Sequence, residues 1–460
     1  MKEDTLEHID NNIPKNSDKI KKDSISGTRE KATIWGTSIG WAAGRSSIFT
    51  FLSYFGVVLG ASPLEQSILT SVRNLGSNAF QSVWGWLADL RGRKLVLTIG
   101  FSTLAISMFF APFSQNPMDL VIISIILTSI GFSVIPAWNA FLGDYAFEGV
   151  RASFIGKINS IGTLSSIFLI FALGVLMDAS PFPFPQIFGD GSNNYIETRP
   201  VFFIPFLSSA IIFVLTIFIS LFLVEKYEAK KKIAIGEEIH TGGWRTLIAR
   251  NEPFRRLLPI DAFFKFTMST AWPIFPFVTL RVADSWSMVA FMWIVFHLPR
   301  SIGQSYGGRF GDKYGKKVVI ILSRLGYAIV PLGYALGLVT GNPLFLIGVN
   351  IPGGLAFGAE DTCIAAYSLD CSTEETKGRY YSMLLTAEGF CAFAGSLSAG
   401  FIMDLWLRLE GIDYDSPEFN VILFWMLMVI MILRIIAGLL HKFIYSNPLD
   451  FTLDQIQYHY

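Results

Sequence analysis

The sequence predicts an all-α membrane protein, with twelve transmembrane helices in two pseudo-symmetric six-helix bundles. Three observations carry that expectation. The 460 residues are 52% hydrophobic and only 16% charged, whereas soluble domains carry about 25% charged residues. Twelve stretches are long and apolar enough to cross a bilayer, whose core of about 30 Å takes about 20 residues of helix. A ten-residue pattern also occurs twice, as Gly85-Trp86-Leu87-Ala88-Asp89-Leu90-Arg91-Gly92-Arg93-Lys94 and Gly308-Arg309-Phe310-Gly311-Asp312-Lys313-Tyr314-Gly315-Lys316-Lys317. Each copy reads Gly, Asp four residues on, Gly three further, then two adjacent basic residues. Their offset, 312 − 89 = 223, is close to half the chain.

Taken in order, residues 1–32 form a polar tail in which Lys15, Lys19, Lys21, Lys22, Arg29 and Lys31 stand among acidic and amide residues. No short apolar core with a small-residue cleavage site follows, so a signal peptide is not expected. The first bundle spans 33–224, with apolar segments at 33–60, 66–88, 95–114, 118–142, 152–177 and 200–224. A charged linker, 225–256, sets Lys230, Lys231 and Lys232 beside Glu237 and Glu238. It reads as a solvated connection, with contact to anionic headgroups as the alternative. The second bundle spans 257–441, with segments at 257–281, 286–308, 317–340, 343–367, 380–405 and 420–441, and 442–460 forms a second tail. Continuous apolar runs, as opposed to alternating ones, exclude a β-barrel. The loop at 178–199, with Pro181, Pro183, Pro185, Gly189 and Gly191, reads as irregular and exposed.

Orientation follows from Lys and Arg in short loops. The tail, Arg91, Arg93, Lys94, Arg151, the linker, Lys313, Lys316, Lys317, Lys377 and Arg379 fall on one side, while the other has little beyond Arg199, Arg281 and Arg408. Both termini and both Asp-containing turns are therefore expected in the cytoplasm of a multi-pass plasma-membrane protein. The halves match elsewhere too. Gly174-Val175-Leu176-Met177-Asp178 closes the fifth segment and Gly400-Phe401-Ile402-Met403-Asp404 the eleventh; Asp144 and Arg151 precede the fifth as Asp370 and Arg379 precede the eleventh. Parallel six-helix repeats are an established transporter plan.

Other classes lose support. Zero net charge gives a nucleic-acid partner no electrostatic footing. Cys363, Cys371 and Cys391 have no metal-ligand spacing, and no His or acidic cluster suggests a metal. No cofactor is expected. No nucleophile–base pair appears, so an enzyme is not expected, and the tails and linker are too small for the soluble domain of a non-transporting sensor.

The two ten-residue turns resemble the signature of the major facilitator superfamily, which lies between helices 2 and 3 and is echoed between helices 8 and 9. With the twelve spans, central linker and duplication, the resemblance covers about residues 33–441. It implies alternating access, the halves rocking about one central site. It further implies that Gly85, Asp89, Gly92, Arg93 and Lys94, and their counterparts Gly308, Asp312, Gly315, Lys316 and Lys317, are gating residues that hold the outward-facing state. It also implies that helices 3, 6, 9 and 12 support the fold while the other eight border the cavity. Helix 5 reads Asn159-Ser160-Ile161-Gly162-Thr163-Leu164-Ser165-Ser166, without the proline of the drug-antiporter branch.

Ionisable residues deep in a span are costly and mark function. At about 1.5 Å per residue, Arg45 lies roughly 20 Å into helix 1, and Lys265 and Glu388 roughly 12 Å into helices 7 and 11. Arg73, Glu360 and Asp361 lie about 10 Å from the nearer end of their helices, with His297 and Arg300 in the inner half of helix 8. All fall on cavity-bordering helices; Arg324 and Arg434, on the supporting ones, are expected to snorkel to the cytoplasmic surface, and Asp261 to form a shallow boundary pair beside Arg255 and Arg256. Arg45 either grips an anionic group of the substrate or pairs with Glu388. Glu360, Asp361 and Glu388 are the deep carboxylates open to protons, unless fixed by Lys265 or Arg300. Trp35, Trp41, Trp138 and Trp272 either stack on substrate or pack. Pro273 and Pro276 predict a kink in helix 7, and Gly353-Gly354 after Pro352 a similar one in helix 10.

The expected function is transport of a small solute by a monomer in the lipid bilayer, without nucleic acid. Four deep cations (Arg45, Arg73, Lys265, Arg300) against three deep carboxylates tilt the substrate towards an organic anion, with protons as the candidate coupling ion. Proton-driven efflux of amphipathic drug-like compounds is the alternative.

Overall fold

The computed structural model describes residues 28–145, 151–187, 192–225, 248–249, 251–372, 377–446 and 448, with backbone alone at 79, 82, 89, 143–144, 151–156 and 377–379. Most of the expected tails and of the 225–256 linker lies outside the described residues. Among the described residues, twelve helical units follow one another. In the first half these are α1 (Thr28–Val58), α2 (Pro63–Ala79 and Gln81–Arg91), α3 (Arg93–Phe110), α4 (Pro117–Ser129 and Val134–Tyr145), α5 (Arg151–Asp178) and α6 (Phe203–Ser220). In the second half they are α7 (Glu252–Ser269 and Ile274–Val282), α8 (Trp286–Tyr314), α9 (Lys316–Tyr327 and Val330–Thr340), α10 (Leu344–Asp370), α11 (Lys377–Glu410) and α12 (Phe419–Leu440).

Local chemistry sets several boundaries. Ser62 and Glu65 form a capping box at the start of α2, with the Glu65 carboxylate accepting from the Ser62 amide at 2.9 Å. The Asn251 side chain accepts from the Phe254 amide at 2.9 Å and starts α7. Pro273 closes the gap between the two pieces of α7, the break expected there, because proline removes an amide donor from the ladder. At the two repeated turns, Gly92 and Gly315 take φ +94° and +91°, the left-handed region that only glycine enters without strain. That backbone lets α2 reverse into α3, and α8 into α9, within one residue.

Seven of the described helices, α3, α4, α5, α6, α9, α11 and α12, are long and apolar enough to cross a membrane by composition alone. The other five, α1, α2, α7, α8 and α10, are those that carry Arg45, Arg73, Lys265, Arg300 and the Glu360–Asp361 pair. The periphery is apolar, with Phe168, Leu215, Leu322 and Val421 exposed as lipid-facing side chains.

Within the second half, α8 and α10 cross closely through glycines. A Cβ at Gly303 would stand 2.1 Å from the Leu355 carbonyl oxygen, and one at Gly358 would stand 2.0 Å from that of Arg300. The glycines of α10 therefore serve close packing, small residues replacing a hydrophobic driving force inside a membrane. The expected kink position, Gly353-Gly354 after Pro352, lies inside the continuous helix α10.

The halves meet at the ends opposite the repeated turns, here called the far side. Ser71 donates to the Phe393 carbonyl at 2.9 Å, joining α2 to α11. The Asp178 carboxylate at the end of α5 accepts from the Trp286 and Ser287 amides at 2.7 and 2.9 Å, capping the N-terminus of α8 across the interface. Gly174 packs against Ala290 and Gly400 against Ser67, so the repeated Gly–Asp landmarks at the ends of α5 and α11 each place a glycine at a crossing between halves. Further out, Tyr414 donates to the Gly60 carbonyl and Asn193 to Asp415, both at 2.9 Å. These contacts close the far side, while the turn-side half of the second bundle is indented by a cavity of about 300 Å³.

The packing and the far-side charges can each be tested. Gly358→Val is expected to lower the detergent-state melting temperature, at an overpacking cost of about 1–3 kcal/mol. Gly348→Val, with open space around it, is expected to melt near the wild type, and equal losses in both would refute the close crossing. The second prediction concerns Asp415, whose carboxyl burial pushes up to about 6, with Asp413 adding repulsion and Arg281 and the Asn193 amide opposing. A carboxyl raised in the closed arrangement stabilises closure at low pH, and that contribution is lost as pH rises through about 6. Spin labels across the far-side ends of α2 and α11 should report more closed molecules at about pH 5 than at about pH 7.5. Asp415→Asn should flatten the difference; a wild-type distribution indifferent to pH would rule the idea out.

Candidate transport site

The second half holds a connected set of charges. Arg324 on α9 is fully buried and donates to Asp261 on α7, to Glu360 on α10 at 2.6 Å, and to the His441 ring just past α12. Lys265, one turn along α7 from Asp261, lies 3.9 Å from Glu360 and 3.5 Å from Glu388 on α11. Arg300 on α8 pairs with Asp361 at 2.5 Å, and Arg300 and Lys265 both lie over the Phe357 ring, at 4.6 and 5.9 Å. Lys265, Glu388, Asp361, Gln304, Thr362 and Tyr381 line the cavity.

Several expectations are corrected by this arrangement. Asp261 is no shallow boundary group; it is fully buried and its partner is Arg324. Arg324 and Arg434 do not snorkel. Both are fully buried, with Arg434 donating to the Met268 carbonyl at 2.6 Å and lying 4.8 Å from the Tyr327 ring. A desolvated guanidinium needs acceptors; the helix crossings supply three side chains to Arg324 and one backbone carbonyl to Arg434. Deep charges are thus not confined to the cavity-bordering helices. Arg45 does not pair with Glu388, whose cationic partner is Lys265.

The first half is different. Arg45 on α1 lies 5.0 Å from the Trp41 ring and 5.7 Å from that of Phe49, while Arg73 on α2 lies 5.6 Å from the same Phe49 ring. Arg73 donates to the Ser53 hydroxyl at 3.1 Å, and its buried Nε has no acceptor. Among the described residues neither arginine has a carboxylate partner. Arg45, His297 and Arg300 also lie within Coulombic reach of one another, so cationic groups from both halves face the midline.

The tryptophans separate. Trp138 is buried in the first bundle, stacked on Phe141 at 5.7 Å, and Trp41 is packed against Phe101 and Phe132; both rings are core. Trp272 is half-buried at the break in α7, and Trp35 is exposed. His297 stacks on Trp293 at 3.9 Å.

The repeated turns act as staples inside each half in this closed-far-side state. The Lys94 ammonium donates to the Leu221 carbonyl at 2.5 Å and the Arg93 amide to Glu225 at 2.5 Å, with the Arg93 guanidinium on the Ala140 carbonyl. Lys317 donates to the Ile444 carbonyl at 2.8 Å and Lys316 to Asp370. The two lysine bonds correspond, since 317 − 94 and 444 − 221 are both 223. The side chain of Asp89 lies outside the described residues. Reasoning from the sequence missed Asp261, Arg324 and His441 as site residues. The signal for Asp261 was its i, i+4 spacing from Lys265, which puts both on one face of a helix.

This fold has counterparts among known proteins. Multidrug resistance protein MdtG of Escherichia coli is 23% identical over 334 residues, covering 71% of this chain and 75% of MdtG. Among solved structures, a mutant form of the nucleoside transporter NupG overlays with a TM-score of 0.69 at 13% identity, over 90% of this chain and 99% of NupG. A bacterial homolog of the human lysosomal transporter Spinster, inward-facing and unoccupied, gives 0.66 at 14% identity over 90% and 97%. A D-xylose-proton symporter gives 0.65 at 14% over 91% and 97%. These likenesses share the fold. The model of the Major Facilitator Superfamily matches residues 34–280 and 257–448, nearly the whole span of the duplicated bundles, and the chain belongs to that superfamily of integral membrane transporters.

Proposed function

We propose that this protein moves a small organic anion across the plasma membrane by rocking-switch alternating access, coupled to protons, as a monomer with both termini in the cytoplasm. The observation that carries the anion is the pair Arg45 and Arg73. Both stand in the first bundle with aromatic rings and no carboxylate among the described residues, so a bound anion would supply the missing charge, a carboxylate or phosphate meeting the guanidinium fork in bidentate fashion. Arg300 approaches from the other half with its charge already answered by Asp361, which leaves the two arginines of the first bundle as the anion's partners.

The proton reading rests on the second bundle. Asp261, Glu360 and Glu388 share two fixed cations, Arg324 and Lys265. One carboxylate is therefore in excess, and an excess charge in a low-dielectric site favours proton uptake. Asp361 is answered by Arg300. The turns at Gly85–Lys94 and Gly308–Lys317 would gate by exchanging bonds within a half for bonds between halves when the far side opens. The turn side is assigned to the cytoplasm by the basic loops, which makes this an inward-facing state.

Efflux of amphipathic drug-like compounds is the second reading. Its support is the similarity to MdtG, a multidrug resistance protein by name; the proline-free helix 5 weighs against it.

Flux into proteoliposomes over a panel of organic anions and amphipathic cations, with and without a pH gradient, separates the two. An anion should be moved, and Arg45→Ala and Arg73→Ala should each reduce its flux at least about tenfold, the loss expected for a charge-assisted contact. Glu388→Gln should remove the response to the gradient. Wild-type flux of amphipathic cations alone, unaffected by Arg45→Ala, would replace this proposal with efflux.

A further inference from the structure

The proton-coupled reading leaves open which carboxyl takes the proton and why the others do not. We propose that Arg324, braced by His441, reserves the proton for Glu388 by holding Asp261 and Glu360 as anions. This rests on the reading above and assigns a positioning role to two residues on supporting helices.

The argument is geometric. One guanidinium nitrogen, Arg324 Nη2, donates to Asp261 and Glu360 at once, and a buried cation held between two carboxylates favours the ionised form of each. Glu388 makes no contact with Arg324. Its cationic partner is Lys265 at 3.5 Å, a single point charge shared with Glu360. Glu388 also lines the cavity, whereas Asp261 is fully buried and Glu360 nearly so. The carboxyl that water reaches is the one the guanidinium leaves unpinned.

His441 fixes the fork. Its Nδ1 lies 2.9 Å from the Ala437 carbonyl, which only accepts, so Nδ1 carries the hydrogen. Its Nε2 is then free to accept from Arg324. The ring is therefore neutral and contributes orientation without charge, and the full set carries three carboxylates against two cations.

The groups facing Glu388 are Lys265 and Asp261 from α7, Glu360 and Asp361 from α10 and Tyr381 from α11 itself. Arg300 of α8 is engaged by Asp361. Where α2 packs on α11, it presents the uncharged Asn78 beside Gly389. Arg434 of α12 is turned to the Met268 carbonyl. Lys265 alone opposes protonation among the close groups. In the step itself, a hydronium ion from the cavity gives its proton to a Glu388 carboxylate oxygen and leaves as water. The Lys265–Glu388 ion pair is lost and Lys265 keeps Glu360; deprotonation to the opposite side restores the pair.

Infrared difference titration of the purified full-length protein in lipid nanodiscs, from about pH 5 to about pH 9, tests this, with Asp415→Asn added to the wild type and to every variant to silence the far-side carboxyl that burial pushes up to about 6. The wild type should show one titrating carboxyl, absent in Glu388→Gln and retained at lower pH in Glu360→Gln. Arg324→Met should show two, because a second carboxyl loses its pin. If that variant fails to fold, His441→Leu should show the same second signal and His441→Gln, which keeps an acceptor, should restore the single one. A single signal in both Arg324→Met and His441→Leu would overturn the positioning role, as would a wild-type signal that survives Glu388→Gln. Wild-type flux that ignores a pH gradient would remove the coupled reading itself, a result distinct from either.

Discussion

A guanidinium with no exposure to water needs acceptors, and Arg324 obtains them for both terminal nitrogens from three helices. Asp261, Glu360 and His441 arrive from α7, α10 and the end of α12. Removing any partner would leave a desolvated charge, the most expensive defect a low-dielectric interior can hold. The bond set therefore ties the supporting helices of the second bundle to the helices that border the cavity. A rocking half must move as a body, and this cluster gives it a polar core that cannot shear without exposing charge.

The same logic appears at the repeated turns. Lys94 on Leu221 and Lys317 on Ile444 close each half between its third and sixth helix, at matching positions of the duplication. Contacts between the halves are of another kind. They are single hydrogen bonds, glycine crossings and one carboxylate on a helix N-terminus. Such bonds contribute about 1 kcal/mol each. Strong bonds within halves and modest ones between them are what a two-state rocking device requires, since each state must differ from the other by only a few kcal/mol.

The architecture was legible in the sequence because hydrophobic length and duplication are properties of order along the chain. Twelve spans, the two turns, the far-side glycines and the break at Pro273 were all readable there. The charge partners were not. Arg324 looks like a residue able to reach the surface when its distance from the start of α9 is the only measure; its burial depends on α7, α10 and α12 closing around it. Asp261 looked shallow for the same reason, although its one-turn spacing from Lys265 was visible. Trp138 was a cavity candidate by helix and a core residue by rotation. Depth along a helix is a one-dimensional quantity and partner choice is not.

The asymmetry between halves then acquires a meaning. Duplication supplied similar scaffolds, yet the second bundle pairs Asp261, Lys265, Arg300, Arg324, Glu360, Asp361 and Glu388 among themselves and leaves Arg434 to a carbonyl and a ring, while among the described residues the first leaves Arg45 and Arg73 to aromatic rings and one hydroxyl. A cation–ring contact is worth about 0.5–2 kcal/mol, well short of what a carboxylate supplies to a desolvated guanidinium. The two arginines of the first bundle thus lack a carboxylate among the described residues, and the Asp261–Glu360–Glu388 cluster of the second holds one carboxylate more than its two cations. An anionic solute would satisfy the first and a proton the second, and each would lower the cost of closing the cavity around it. On that basis the two ligands need not touch to be coupled: each would relieve a different uncompensated charge when the turn side shuts.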